Sequence, residues 1–272
     1  MRSLRPTKPR CDGNSRFDRD LPTLLTIRFR SLARSLPCGD LRMPRRPPRK
    51  PNPALDLSRH LIPLGSLAVP CDPRPLFARD APIELEVGSG KGLFLATASA
   101  REPDRNFLGA EIATGYARMC AAKLAAAETT NARIIAGDAT FLVRSMLPDA
   151  CLGGMHVYFP DPWWKARHRK RRVLSELFLR HAGRVLPAGA TLHVWTDVEE
   201  YFRESMAFAQ ATGLFTDPRE EQVSAAEHDL DYRTHFERRT RLANEPVWRA
   251  ALDRTERPAD CERLVLPESL SS

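Results

Sequence analysis

The chain has 272 residues, of which 42% are hydrophobic. That is enough for one large or two small domains of about 100–200 residues each, and it rules out wholesale disorder. No run of eighteen uncharged apolar residues is present, so a helical membrane span is excluded. The 42 Lys+Arg and 34 Asp+Glu give a net charge of +8. The excess is not spread evenly: residues 1–50 hold 14 Lys+Arg and 4 Asp, which leaves 28 Lys+Arg and 30 Asp+Glu for the rest. The basicity belongs to the N-terminal segment, and any nucleic-acid surface on the body has to be a local patch. The six cysteines (Cys11, Cys38, Cys71, Cys120, Cys151 and Cys261) form no C-x-x-C pair and no zinc-type spacing with histidine. They read as free thiols in a reducing, cytoplasmic compartment, with no metal site.

Residues 1–53 are rich in Arg and Pro and lack an apolar period, which reads as a disordered extension. Pro22 and Arg28 interrupt the only apolar stretch there, so it is not a secretory signal. The arginines suit a transit peptide, but Asp12, Asp18, Asp20 and Asp40 count against one. A third reading starts translation at Met43. From there the expected elements alternate. Strands are predicted at 83–87, 106–112, 132–136, 153–159 and 191–196. Helices are predicted at 92–101, 113–128, near 140–147, at 173–186 and at 198–212. Strand and helix in regular order mean βαβ units on a mostly parallel sheet, with right-handed crossovers placing helices on both faces. An antiparallel pair around Phe215 and residues 235–240 is expected to close the sheet. The body then spans 54–254 as a single domain, followed by a polar tail, 255–272.

The turn after the first strand reads Glu86-Val87-Gly88-Ser89-Gly90-Lys91-Gly92. Glycines allow a tight turn and close approach of a cofactor. A dinucleotide fingerprint needs Gly or Ala where Leu93 stands. It also leaves its helix N-terminus for a pyrophosphate, which Glu86 at the strand end would repel. A carboxylate there suits the ammonium of an amino-acid moiety such as that of S-adenosylmethionine. Glu111 ends the second strand, where an acid binds ribose hydroxyls. Asp138 follows the third, where the carboxylate or neighbouring amides meet an adenine. A glycine turn alone is weak evidence; three acids at the carboxyl ends of successive strands carry more weight, because ligands bind there in open α/β sheets.

The fourth strand runs into Phe159-Pro160-Asp161-Pro162-Trp163-Trp164-Lys165. Two prolines stiffen the loop that carries Asp161. The tryptophans either stack on a base or pack, and packing is expected for at least one. Six of the eight residues 165–172 are cationic: Lys165, Arg167, Arg169, Lys170, Arg171 and Arg172. On a body of slightly negative charge this reads as a phosphate-contacting patch. The plain alternative is a solvated helix start, with Arg171 and Arg172 facing water or pairing with Glu176.

At these residues the chain resembles the bacterial tRNA (guanine-N7)-methyltransferase family. The match runs from about Ile83 to Leu252 and includes L-E-V-G at 85–88, L-G-A-E at 108–111, G-D-A at 137–139, F-P-D-P-W at 159–163, Lys165, Arg171-Arg172, Thr196-Asp197 and T-H-F-E-R at 234–238. The resemblance implies a class I methyltransferase fold, Rossmann-like, with a mostly parallel seven-stranded sheet. It implies S-adenosyl-L-methionine as cofactor and methylation of N7 of the variable-loop guanosine, position 46, of tRNA. Glu86, Glu111, Asp138 and Asp161 match cofactor-site acids, with Gly88, Gly90 and Gly92 in the turn; Asp161 also matches the catalytic position. Lys165, Asp197, Thr234, His235, Phe236 and Glu237 match substrate positions. His235 departs from the lysine common there, which puts one tRNA contact in doubt. Two alternatives stay open on the residues: a small-molecule methyltransferase, and a non-catalytic RNA-binding protein on the same fold.

Overall fold

The computed structural model describes residues 52, 54–223 and 232–264. The basic extension, Met43 included, lies outside the described residues apart from Asn52. Eight strands form one sheet: β1 (Leu61–Pro63), β2 (Ile83–Val87), β3 (Asn106–Glu111), β4 (Ala132–Ala136), β5 (Gly154–Tyr158), β6 (Thr191–Thr196), β7 (Arg219–Glu220) and β8 (Trp248–Asp253). Their order is β1-β4-β3-β2-β5-β6-β8-β7. Strands β1 to β6 pair in parallel; β8 runs antiparallel to β6, and β7 antiparallel to β8. The helices are α1 (Leu93–Arg101), α2 (Thr114–Ala126), α3 (Ala139–Phe141, continued by a π turn over Leu142–Met146), α4 (Glu176–Val185), α5 (Glu199–Thr212) and α6 (His235–Leu242).

Side chains alternate across a strand, so register assigns them to faces. One face is apolar. Leu85, Met155, Val157, Leu192, Val194 and Leu252 pack there with Phe178 and Leu179 of α4 and Ala209 of α5. Burying each such side chain contributes about 1.5–3 kcal/mol. On the other face, α1 and α2 cover Phe107 and Ile134 with Phe94, Leu95, Cys120 and Leu124. Further along, the same face carries Glu84, Glu86, His156, Tyr158, His193 and Trp195. Buried polar groups need partners, and among the side chains of these six only Glu86 Oε2 is buried without one.

The structure departs from the sequence expectation in five places. An eighth strand, β1, adds to the sheet edge beside β4, with Leu61 opposite Ile134. The closing antiparallel pair is β7 and β8; Phe215 makes only an isolated bridge to Arg254. Residues 235–240 are helix, because Thr234 caps α6 by accepting from the Glu237 N–H at 2.9 Å, while Glu237 Oε2 accepts the Arg233 N–H at 2.6 Å. Helix α4 begins at Glu176 rather than 173, since Ser175 is its cap. Part of the expected polar tail lies against the body: Leu264 N–H donates to Arg144 O at 3.0 Å, and Asp260 pairs with Arg180.

Candidate active site

A cleft of about 1040 Å³ opens at the carboxyl ends of β2 to β6. The glycine turn forms its floor. Gly88, Gly90 and Gly92 all have positive φ (80°, 52° and 68°). Gly92 is fixed twice over: it is left-handed at the start of α1, and a Cβ there would come within 2.2 Å of Cys120 Sγ. Gly109 on β3 lets the turn lie down on the sheet, because a Cβ would meet Ser89 Oγ at 2.4 Å.

The four acids occupy different environments. Glu86 is 2% exposed and sits beneath the turn, not in the open wall. Its Oε2 is buried with no hydrogen-bond partner. Burial raises its pKa to about 8; the Ser89 hydrogen bond opposes this, the Glu111 charge adds to it, and Lys123 opposes it. Glu111 is held by main chain, Oε2 accepting from Gly90 N–H at 2.8 Å and Oε1 from Ala113 N–H at 2.7 Å. Asp138 lines the cleft and caps α3, with Oδ1 accepting from Thr140 N–H and Oγ1–H, both at 2.7 Å. Asp161 lines the same cleft and is exposed.

The tryptophans separate. Trp163 has φ +44° and packs under Arg171, 5.0 Å from its ring centroid, with His168 edge-on at 5.7 Å. Trp164 is 65% exposed on the cleft wall. The basic run is a 3-10 turn, Ala166–Arg171. Lys165, Arg167, Lys170 and Arg171 are exposed; Arg169 pairs with Glu200 at 2.9 Å. Arg172 differs from the expectation of a surface cation. It is 7% exposed, pairs with Glu204, donates to Pro162 O at 2.7 Å and lies 4.8 Å over Tyr201. It holds the Asp161 loop from beneath, and its expected partner Glu176 pairs with Arg180 instead.

Asp197 and Phe236 line the cleft. The Phe236 ring lies 4.9 Å from Phe159 and under Arg239 at 4.2 Å. Thr234 and Glu237 are occupied in capping α6, Glu237 also pairing with Arg241 at 3.1 Å. His235 is exposed at the start of that helix, outside the cleft wall, as is Lys165 on its loop. Sequence reasoning missed Ile112, 72% exposed on the cleft wall, and Arg144, which lines the cleft with a buried, unpartnered Nε. Ile112 had a readable signal, since it follows the acid that ends β3; Arg144 had none.

These features fit an aminoacyl nucleoside cofactor: a buried carboxyl with one unpartnered oxygen under a glycine turn for an ammonium, and a preorganised acid at the next strand end for a ribose. With the parallel sheet and its reversed final strands, they define a class I methyltransferase. The sequence comparisons agree. A family model described as a putative methyltransferase matches residues 80–250. A tRNA (guanine-N(7)-)-methyltransferase of Rhodopirellula baltica is 48% identical over 215 residues, covering 77% of this chain and 79% of its own. A relative of the same name from Serratia proteamaculans is 33% identical over 189 residues, covering 70% and 79%. Among solved structures, the 16S rRNA methyltransferase KamB aligns with a TM-score of 0.48 at 18% identity, over 68% of this chain and 91% of its own. The chain belongs to the tRNA (guanine-N7)-methyltransferase family. Among the described residues no group of three or more His, Cys, Asp or Glu is placed to hold a metal, and no helix is long and apolar enough to cross a membrane.

Proposed function

We propose that this protein methylates N7 of the variable-loop guanosine, position 46, of tRNA in the cytoplasm, and that residues 54–254 carry the activity. The observation that supports this best is that Asp161 and Asp138 line one cleft together with exposed Trp164 and the cations Lys170 and Arg171. S-adenosylmethionine supplies an electrophilic methyl group on a sulfonium sulfur. The chain's own residues bind and align. Glu86 faces the ammonium, Glu111 accepts from the ribose hydroxyls, and Asp138, with Oδ1 engaged in its cap, uses its other oxygen toward the adenine.

Guanine N7 has a free lone pair and loses no proton before it attacks, so a strong general base is unnecessary. What accelerates the step is alignment of the nucleophile with the methyl carbon and sulfur. Asp161 holds the guanine by accepting from N1–H and N2–H₂, and its negative charge offsets the positive charge that moves onto the purine. Extracting the guanine from its stack costs a few kcal/mol, which stacking on an aromatic side chain offsets. Lys165, Arg167, Lys170 and Arg171 contact phosphates and position the tRNA without reading sequence.

The test is nuclease digestion and mass spectrometry of tRNA incubated with the protein and S-adenosylmethionine. The expected product is 7-methylguanosine at position 46. Unmodified tRNA, together with weak and salt-insensitive RNA binding, would instead indicate a small-molecule acceptor.

A further inference from the structure

A chain of half-buried and buried side chains joins the two segments that carry substrate chemistry. Strand β5 ends on Tyr158, directly before the Phe159-Pro160-Asp161 turn. Helix α6 begins at His235 after its cap, Thr234. Arg233 bridges them. Its Nη1 donates to the Tyr158 hydroxyl at 2.6 Å, and its Nη2 pairs with Glu221 Oε1 at 2.9 Å. Its guanidinium lies 4.8 Å over the Trp195 ring. Its main-chain N–H closes the α6 capping box on Glu237.

The hydrogen bonds have one consistent direction. Arginine only donates, so the Tyr158 oxygen accepts and its O–H turns to His156 Nδ1 at 2.8 Å. His156 then carries its proton on Nε2, which donates to Glu84 Oε2 at 3.0 Å, and Glu84 also pairs with Arg105. On the other side Glu221 Oε2 accepts from Trp195 Nε1 at 2.7 Å and lies 3.1 Å from His193 Nδ1. Burial lowers the His156 pKa to about 4 and raises that of Tyr158. Burial works against the charge of Glu221, but the His193 bond and the Arg233 charge outweigh it and bring its pKa down to about 2. His156, Tyr158 and Glu221 each keep one protonation state across the neutral range.

We infer that Arg233 is a positioning residue for tRNA: through Tyr158 and Glu221 it fixes the start of α6, and with it Phe236, over the loop that carries Asp161. This rests on the tRNA reading above. Removing the guanidinium leaves the Thr234–Glu237 cap intact but cuts the tie from α6 to β5. The glycine turn and the β3 acid, where the cofactor binds, lie on other elements. The loss should therefore fall on tRNA and not on the cofactor.

The experiment is steady-state methylation of tRNA at saturating S-adenosylmethionine by the intact protein and its Arg233→Gln, Arg233→Lys, Tyr158→Phe and Arg233→Gln/Tyr158→Phe variants, with cofactor affinity by calorimetry. Arg233→Gln is expected to lower kcat/KM for tRNA at least tenfold, mainly through KM, with cofactor Kd within twofold. Tyr158→Phe should lose less, and the double variant should be no worse than Arg233→Gln, because the two act as one unit. Arg233→Lys keeps the charge without the fork and should recover part of the loss; it carries the test if the Gln variant does not fold. Unchanged kcat/KM in both Arg233 variants, a parallel loss of cofactor affinity, or losses that multiply in the double variant would overturn the inference. No methylation by the intact protein would overturn the functional reading itself, and this assignment with it.

Discussion

Glu86 offers the sharpest test of the cofactor site. The carboxyl is 2% exposed, Oε2 has no partner, and burial raises its pKa to about 8. At pH 7 it is therefore mostly protonated when nothing is bound. An ammonium set against it favours the carboxylate, so binding expels a proton. Each pH unit below 8 then costs about 1.4 kcal/mol, or tenfold in affinity. The Kd for S-adenosylmethionine should rise about tenfold from pH 7 to pH 6. It should level off above pH 8, where the free carboxyl is already ionised and the ammonium loses its own proton. Calorimetry in buffers of different ionisation enthalpy should count about one proton released at pH 6 to 7, and none for Glu86→Gln. Equal affinity at pH 6 and 7 with no proton released would refute the ammonium assignment.

The same shift makes a stability prediction of opposite sign. The folded-state pKa lies above the unfolded value of 4.5. As pH rises past 4.5 the unfolded chain loses this proton while the folded chain keeps it, so Glu86 lowers stability increasingly up to about pH 8. At pH 7 the deficit is about 3 kcal/mol. Glu86→Gln should raise the cofactor-free melting temperature by several degrees at pH 7, and by little at pH 5. A variant that merely disturbed packing would lose stability and binding together.

Asp161→Asn should lower kcat at least a hundredfold, about 2.7 kcal/mol or more, with cofactor Kd changing less than threefold; near-normal turnover on saturating tRNA would remove Asp161 from the reaction. Trp164→Ala should weaken tRNA binding by about 1–3 kcal/mol while Trp164→Phe retains most of it, as read by filter binding, and equal loss in both would argue against stacking. Replacing Arg167, Lys170 and Arg171 by Gln should flatten the log–log salt dependence of tRNA affinity by up to about 2–3 units; an unchanged slope would mean these cations only face water. Arg172→Gln should instead lower the melting temperature, because its guanidinium is buried on Glu204 and Pro162. A chain beginning at Met43 should methylate tRNA at the full-length rate in physiological salt, and an insoluble or inactive product would show that the extension takes part.

The strands β2, β4 and β6 were legible to the residue because each is a five- or six-residue stretch rich in apolar and β-branched side chains between turn residues, Pro82 and Gly88, Asn131 and Gly137, Gly189 and Asp197. Helix α6 was misread as a strand although T-x-x-E, Thr234 to Glu237, is a capping-box spacing. Strand β1 has three residues, too few for a period, and exists only because β4 offers an open edge. At the site, the acids were legible because each ends or follows a strand, a position fixed by local sequence. Which cation of the basic run turns inward was not, since Arg172 finds Glu204 thirty-two residues further on. Nor was the Arg233 bridge, which needs β5 and β6 side by side and a partner seventy-five residues away in Tyr158.

Glu84 and Glu86 show how the finished structure separates roles that the sequence leaves alike. They are the same residue type on one strand, two positions apart, on one face, with exposures of 5% and 2%. Register places Gly154 opposite Glu84 and His156 opposite Glu86. The fold gives Glu84 two donors. Burial works against its charge, but His156 and Arg105 hold its pKa below the ordinary value, and its carboxylate ends a hydrogen-bonded chain. The fold gives Glu86 an unpartnered Oε2 and a raised pKa. A buried carboxyl oxygen without a donor is costly, by about 1–3 kcal/mol. That expense is retained where a ligand completes the site. Glu84 is therefore spent on holding the fold, whereas Glu86 keeps one carboxyl oxygen without a donor beneath the glycine turn.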